Sequence, residues 1–179
     1  MSGYLRPVEP TNGRISSYYA HTRRTTPSSE AGVDYYCPIG TEVRAGVEGR
    51  VFEIGGGTGP ATGRFVTIDI RDGRRMRDLH YLRWLVKPGQ LVEPDTIIGL
   101  SGASGYGSEC FGASSPATIP SNTGGPHVHR TLWPTQAYRF GRFPSEPTLD
   151  YERFVDRSAT AGGGARPLID HALLRRQKE

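Results

Sequence analysis

The sequence predicts a mainly β fold, built of short antiparallel strands and tight turns. With 24 Gly and 14 Pro in 179 residues, the chain is punctuated too often for long helices. Val, Ile and Tyr alternate with polar residues through "GVDYYCPIGTEVRAGVEGRVFEIGGG", the period of half-buried strands, and the pattern breaks at glycine. "GRFVTIDIRDGRRMRDLHYL" then reads as a complete hairpin.

In that hairpin "FVTIDI" is the outgoing strand, "RDG" the turn and "RMRDLHYL" the return. Next comes "VKPGQLVEPDTIIGLSG", where Pro-Gly makes a turn, "QLV" a short strand and "TIIGLSG" a strand ending in a glycine loop. "ASGYGSECFGASSPATIPSNTGG" has no period and reads as a long loop, a kind of segment often tied to function. It leads into "GGPHVHRTLW", a strand in which His127 and His129 stand two apart and so share a face. Towards the C-terminus "SEPTLDYERFVDRS" has a helix start and an apolar face. "TAGGGAR" is a flexible link and "PLIDHALLRRQKE" a short amphipathic helix with a basic end. The expected organisation is one domain over residues 1–157 and a Gly-rich linker with an amphipathic tail over residues 158–179.

Composition narrows the function classes. No apolar run approaches the span of a bilayer, so no membrane insertion is expected. A net charge of +4 permits attraction to nucleic acid, membrane surfaces or wall polymers without choosing among them. "RDGRRMR" is accompanied by no helix-turn-helix, zinc-knuckle or RNA-binding signature, so it reads as a solvated surface and no nucleic-acid partner is expected. "EIGGGTGPATG" lacks the Lys-Ser/Thr end and following helix of a phosphate-cradling loop and reads as a mobile hairpin connection. Cys37 and Cys110 are compatible with one disulfide or with two buried thiols.

Taken singly, Asp34 reads as a turn cap and His80 as a half-buried strand histidine. Their order along the chain says more. "EAGVDYYCPIGTEVRAGVEGRV", "LHYLRWLVKPGQLVEPDTIIGLSG" and "TGGPHVH" together resemble the lysostaphin-type zinc endopeptidases, which cut peptidoglycan cross-links. The resemblance covers roughly residues 10–155. It implies the fold of that family, a twisted antiparallel β-sheet with a groove across it, here with short C-terminal helices. It also implies Zn2+ held by the His and Asp of an H-x-G-x-D motif and by the last His of H-x-H. Residue by residue, Asp34 and His129 fall on ligand positions, and His80 and His127 on those of two catalytic histidines.

A catalytic zinc keeps one coordination place for water and lowers its pKa, and flanking imidazoles orient that water and move its proton. One position departs from the pattern: Glu30 stands where the family has its first ligand histidine. A Glu30, Asp34 and His129 site is chemically feasible, but a second carboxylate weakens the metal as a Lewis acid and favours harder cations such as Mn2+. His21, in "YYAHTRRTTPSSE", is a substitute ligand that a folded-back loop would bring in.

The resemblance thus implies a metal-dependent hydrolase of peptide bonds in bacterial peptidoglycan. The opening "MSGYLRPVEPTNGRI" lacks the basic start and apolar segment of a secretory signal. Bacteriophage release at lysis, or assembly with other virion proteins, is the route to the wall expected on that basis. The rival expectation, drawn from Glu30, is an inactive structural or wall-binding module of the same fold, such as a virion or tail component.

Overall fold

The computed structural model describes residues 3–22, 30–109, 126–137 and 148–158. Among the described residues nine strands form two antiparallel sheets, as alternation and turns predict. In chain order they are β1 (Val33–Tyr36), β2 (Glu42–Arg44), β3 (Gly49–Gly55), β4 (Phe65–Ile70), β5 (Arg75–Leu79), β6 (Arg83–Trp84), β7 (Leu91–Val92), β8 (Ile97–Leu100) and β9 (His127–Trp133). The larger sheet runs β1-β9-β5-β4-β3-β7 and the smaller β2-β8-β6. The predicted hairpin is β4–β5, with Val66 opposite Asp78 and Asp69 opposite Arg75.

Period-two alternation gives the large sheet one apolar and one polar face. Val33 and Tyr35 of β1, Val66, Ile68 and Ile70 of β4, Met76 of β5, and Val128 and Leu132 of β9 enter a single core with Val43 and Ile98 of the small sheet. The intervening residues turn the other way, and they include Asp34, Thr67, Arg77, His127, His129 and Thr131. β9 is buried along its whole length because it lies between β1 and β5 with both of its faces covered.

The segment 56–64 joins β3 to β4 as expected, and a strand follows it where a phosphate-binding loop would have a helix. It is tied to a neighbouring loop, since Tyr106 N–H donates to the Pro60 carbonyl and Gly107 N–H to that of Thr58. The helix expected near the C-terminus is, among the described residues, a single 3-10 turn at Tyr151–Arg153. The sheet takes the backbone instead: Leu149 N–H donates to the Leu132 carbonyl, which leaves too little chain for a helix before the turn. The expected tail beyond residue 158 and Cys110 lie outside the described residues. Cys37 is buried, and burial pushes its thiol up. No helix among the described residues is long and apolar enough to cross a membrane.

Candidate metal centre

The site is built on the polar face where β1 meets β9. Their register sets Asp34 directly opposite His129 and Tyr36 opposite His127. Cross-strand partners project from the same face, so one strand pair delivers a carboxylate and two imidazoles together. Gly32 is what lets the strands come this close. A Cβ there would stand 2.4 Å from the Arg130 carbonyl oxygen and 2.9 Å from His129 Nε2. Gly32→Ala is therefore expected to cost about 1–3 kcal/mol of stability through overpacking and to displace His129. Urea unfolding and zinc content would check both effects, and a variant unchanged in both would contradict the close approach.

His80 follows β5, whose last residue Leu79 pairs with His129. Its φ of 68° takes the chain out of the strand. His80 Nδ1 lies 2.9 Å from the Ser104 carbonyl. A carbonyl only accepts, so Nδ1 carries the proton and Nε2 is left with its lone pair. The His80 ring stands 4.7 Å from that of His127 and 6.3 Å from that of His129. Burial, reinforced by the neighbouring His127 and His129, pushes the His80 pKa down to about 3, so the ring is neutral near neutral pH.

The third member comes from upstream. Residues 14–16 add to the open edge of β1, with Ile15 bridging Tyr35, and a single helical turn, α1 (Tyr18–Thr22), follows. Tyr18 Oη anchors that turn by donating to the Thr148 carbonyl at 2.7 Å. His21, on α1, is buried with Nε2 3.3 Å from Asp34 Oδ2, and its ring meets that of His129 edge-on at 4.9 Å. The ligand atoms of His21, Asp34 and His129 all lie within 4.8 Å of one another.

Glu30 does not join this group. Its carboxylate accepts from Arg77 Nη1 at 3.1 Å, and Arg77 also bonds Thr67 Oγ1 at 2.9 Å and the Glu53 carboxylate. Arg77 is 2% exposed, and a guanidinium so buried needs counter-charges. Burial raises the Glu30 carboxyl, although Arg77 and His129 pull it down. Among the described residues the group that could hold a metal ion therefore contains His21 where Glu30 was expected, and the Glu30 main chain reaches the site through its carbonyl, 2.8 Å from His129 Nε2.

The His129 contacts test whether a cation fits. Nε2 meets the Glu30 carbonyl at 2.8 Å and Thr131 Oγ1 at 3.1 Å, and Nδ1 meets Asp34 Oδ1 at 2.7 Å. The Glu30 carbonyl only accepts, so Nε2 carries a proton, and Nδ1 is left either to share a proton with the carboxylate or to offer its lone pair to a metal ion. Burial disfavours the imidazolium, but Asp34 and Glu30 outweigh burial and raise the His129 pKa. Burial likewise pushes the Asp34 carboxyl up, yet His127, His129 and His21 hold it well below the usual carboxylate range. His21 Nδ1 is buried without a hydrogen-bond partner among the described residues. Two imidazoles and one carboxylate are the donor set of a catalytic zinc, and in such sites a carbonyl bonded to the far ring nitrogen fixes the orientation of the imidazole.

The sequence model of peptidase family M23 matches residues 28–139. The chain belongs to peptidase family M23. This M23 chain is 37% identical over 76 residues to the glycyl-glycine endopeptidase ALE-1 of Staphylococcus capitis, a stretch covering 42% of the chain and 21% of that relative. It therefore spans about a fifth of the relative's length. Among solved structures, lysostaphin from Staphylococcus simulans matches with a TM-score of 0.54 at 23% identity, covering 95% of the M23 chain and 54% of that one. The lysostaphin catalytic domain matches at 0.50 and 24%, covering 86% and 89%. Csd3 of Helicobacter pylori matches at 0.53 and 23%, covering 86% and 34%. At these identities the structural matches establish the fold. Asp34, His80, His127 and His129 lie together in the fold. His21 breaks the motif, standing thirteen residues before Asp34 instead of four, so the only signal for it is the glutamate at the usual ligand place.

Proposed function

We propose that the chain is a zinc-dependent endopeptidase that hydrolyses peptide bonds of bacterial peptidoglycan, with His21, Asp34 and His129 as metal ligands. The observation that carries this reading is the convergence of those three side chains beside His80 and His127. Family membership supports a peptidase, and the name of the staphylococcal relative supports a wall peptide as substrate. Replacing the expected glutamate by His21 restores two neutral imidazoles, which favours zinc over the harder Mn2+.

When bound, the metal supplies Lewis acidity that polarises the scissile carbonyl and acidifies a water. His129 is held to the metal side by its Nε2 contact with the Glu30 carbonyl. His80, locked through Nδ1 to Ser104, presents Nε2 as an acceptor for a hydrogen of the attacking water. His127, packed against His80 and with Nε2 3.7 Å from Asp34 Oδ1, faces the same space and is placed to donate to the developing oxyanion. His127→Ala and His80→Ala are each expected to lower turnover by about 10²–10⁴-fold with zinc content unchanged. Turnover on soluble wall fragments, read beside elemental analysis, checks this, and a loss of zinc in either variant would make that histidine a ligand.

The deciding experiment measures metal by elemental mass spectrometry and the release of amino groups from purified peptidoglycan, before and after chelation and zinc restoration. Near-stoichiometric zinc with hydrolysis that follows it is the expected result. Zinc-loaded protein that leaves walls from several bacterial classes uncut would favour a structural or wall-binding module. The setting proposed with this activity is bacteriophage release or a virion part. Co-purification with phage particles would mark the virion form.

A further inference from the structure

The segment that brings His21 to the site also holds Asp34. Residues 14–16 run antiparallel along the open edge of β1, with Ser16 N–H donating to the Asp34 carbonyl at 2.9 Å and Tyr36 N–H to that of Arg14 at 3.3 Å. Ser16 is therefore the cross-strand neighbour of Asp34, and its side chain leaves from the same face as the carboxylate. Ser16 Oγ lies 3.0 Å from Asp34 Oδ2 and 3.3 Å from Asp34 N. A hydroxyl has one hydrogen and two lone pairs, so it donates to Oδ2 while accepting the Asp34 N–H. The carboxylate is thus tied to its own backbone through a single side chain.

We propose that Ser16 is a positioning residue for the metal centre, its hydroxyl fixing the Asp34 carboxylate so that Oδ1 faces His129 and Oδ2 faces His21. The proposal rests on the metallopeptidase reading and adds to it a residue that belongs to no M23 motif. The terminal torsion of an aspartate is broad, so the carboxylate has no strong rotamer of its own. With Ser16 in place the observed orientation puts Oδ1 2.7 Å from His129 Nδ1 and Oδ2 3.3 Å from His21 Nε2. Without it the carboxylate must be ordered when the metal binds, and affinity falls by that amount. Residues 14–22 then act as one strap that delivers a ligand at one end and the support of another ligand at the other.

The test is zinc affinity of the purified full chain, measured by competition with a chromophoric chelator, for wild type, Ser16→Ala, Ser16→Thr and the exposed neighbour Ser17→Ala. Ser16→Ala is expected to bind zinc about 10–100-fold more weakly, while Ser16→Thr, which keeps the hydroxyl, and Ser17→Ala stay close to wild type. Thermal unfolding of the metal-free forms separates a packing role. A lowered midpoint for Ser16→Ala with unchanged zinc affinity overturns the proposal, as does a threonine variant as weak as alanine. Wild type that binds zinc as tightly as Ser16→Ala overturns the proposal alone; wild type that takes up no zinc removes the metallopeptidase reading as well.

Discussion

His21→Ala is expected to leave the protein without stoichiometric zinc and without wall hydrolysis, while Glu30→Gln keeps both. His21 Nε2 stands 3.3 Å from Asp34 Oδ2 inside the ligand group, whereas the Glu30 carboxylate is spent on Arg77 at 3.1 Å. Removing the imidazole leaves Asp34 and His129, one protein ligand short of a catalytic zinc site. The glutamine variant retains the main-chain carbonyl that receives His129 Nε2, and its amide oxygen still accepts from Arg77. Elemental analysis of both variants decides the matter. Zinc lost in Glu30→Gln and kept in His21→Ala would return the ligand role to the carboxylate and invert the assignment.

The largest effect on stability is expected on the other face of the same strand. Arg130 follows His129 on β9 but points into the core, where Nε donates to Asp78 Oδ1 at 2.7 Å and Nη2 to Oδ2 at 2.6 Å. Tyr151 Oη and the Arg44 carbonyl each accept a further guanidinium hydrogen, and Tyr81 Oη donates to Asp78. Neither side chain of the Arg130–Asp78 pair has any solvent exposure. Burial works to discharge the guanidinium, yet Asp78 outweighs it and holds Arg130 more firmly charged than usual. Asp78→Ala strands that charge and is expected to cost about 3–5 kcal/mol, a large share of the roughly 5–15 kcal/mol that stabilises a typical domain. With a urea slope of about 2 kcal/mol per molar, the midpoint falls by about 2 M. Replacing both partners, Asp78→Leu with Arg130→Met, should recover much of the loss because no charge is left unpaired. A single variant that unfolds near the wild-type midpoint would show that water reaches Arg130.

These expectations draw on two kinds of information. The strands were legible because each buried side of a sheet demands alternation, and "FVTIDI" and "RDG" became β4 and a turn as written. The return read over "RMRDLHYL" ends at Leu79, where the positive φ of His80 takes the chain out of the strand. The H-x-H pair was legible for the same reason: residues two apart on a strand must share a face, and β9 places His127 and His129 there. The role of Gly32 comes from the fold, in a backbone approach that no Cβ would fit. The C-terminal apolar pattern misled, because pairing of Leu149 with Leu132 gives that segment hydrogen bonds that a helix would otherwise supply.

The sequence by itself determined a mainly β protein, because local periodicity is a property of neighbouring residues, and its resemblance to the lysostaphin-type peptidases implied a shared site for Asp34, His80, His127 and His129. It also named Glu30 and His21 as the two candidates for the remaining place. Only the tertiary structure separates them in space. Arg77 lies 47 residues from Glu30 in the chain and claims its carboxylate. The strap of residues 14–22 meets β1 through hydrogen bonds that no spacing rule encodes, and so brings His21 to Asp34. The physical reason is the same in both cases. A buried charge takes the partner that folding places nearest in space, and distance along the chain does not limit that choice.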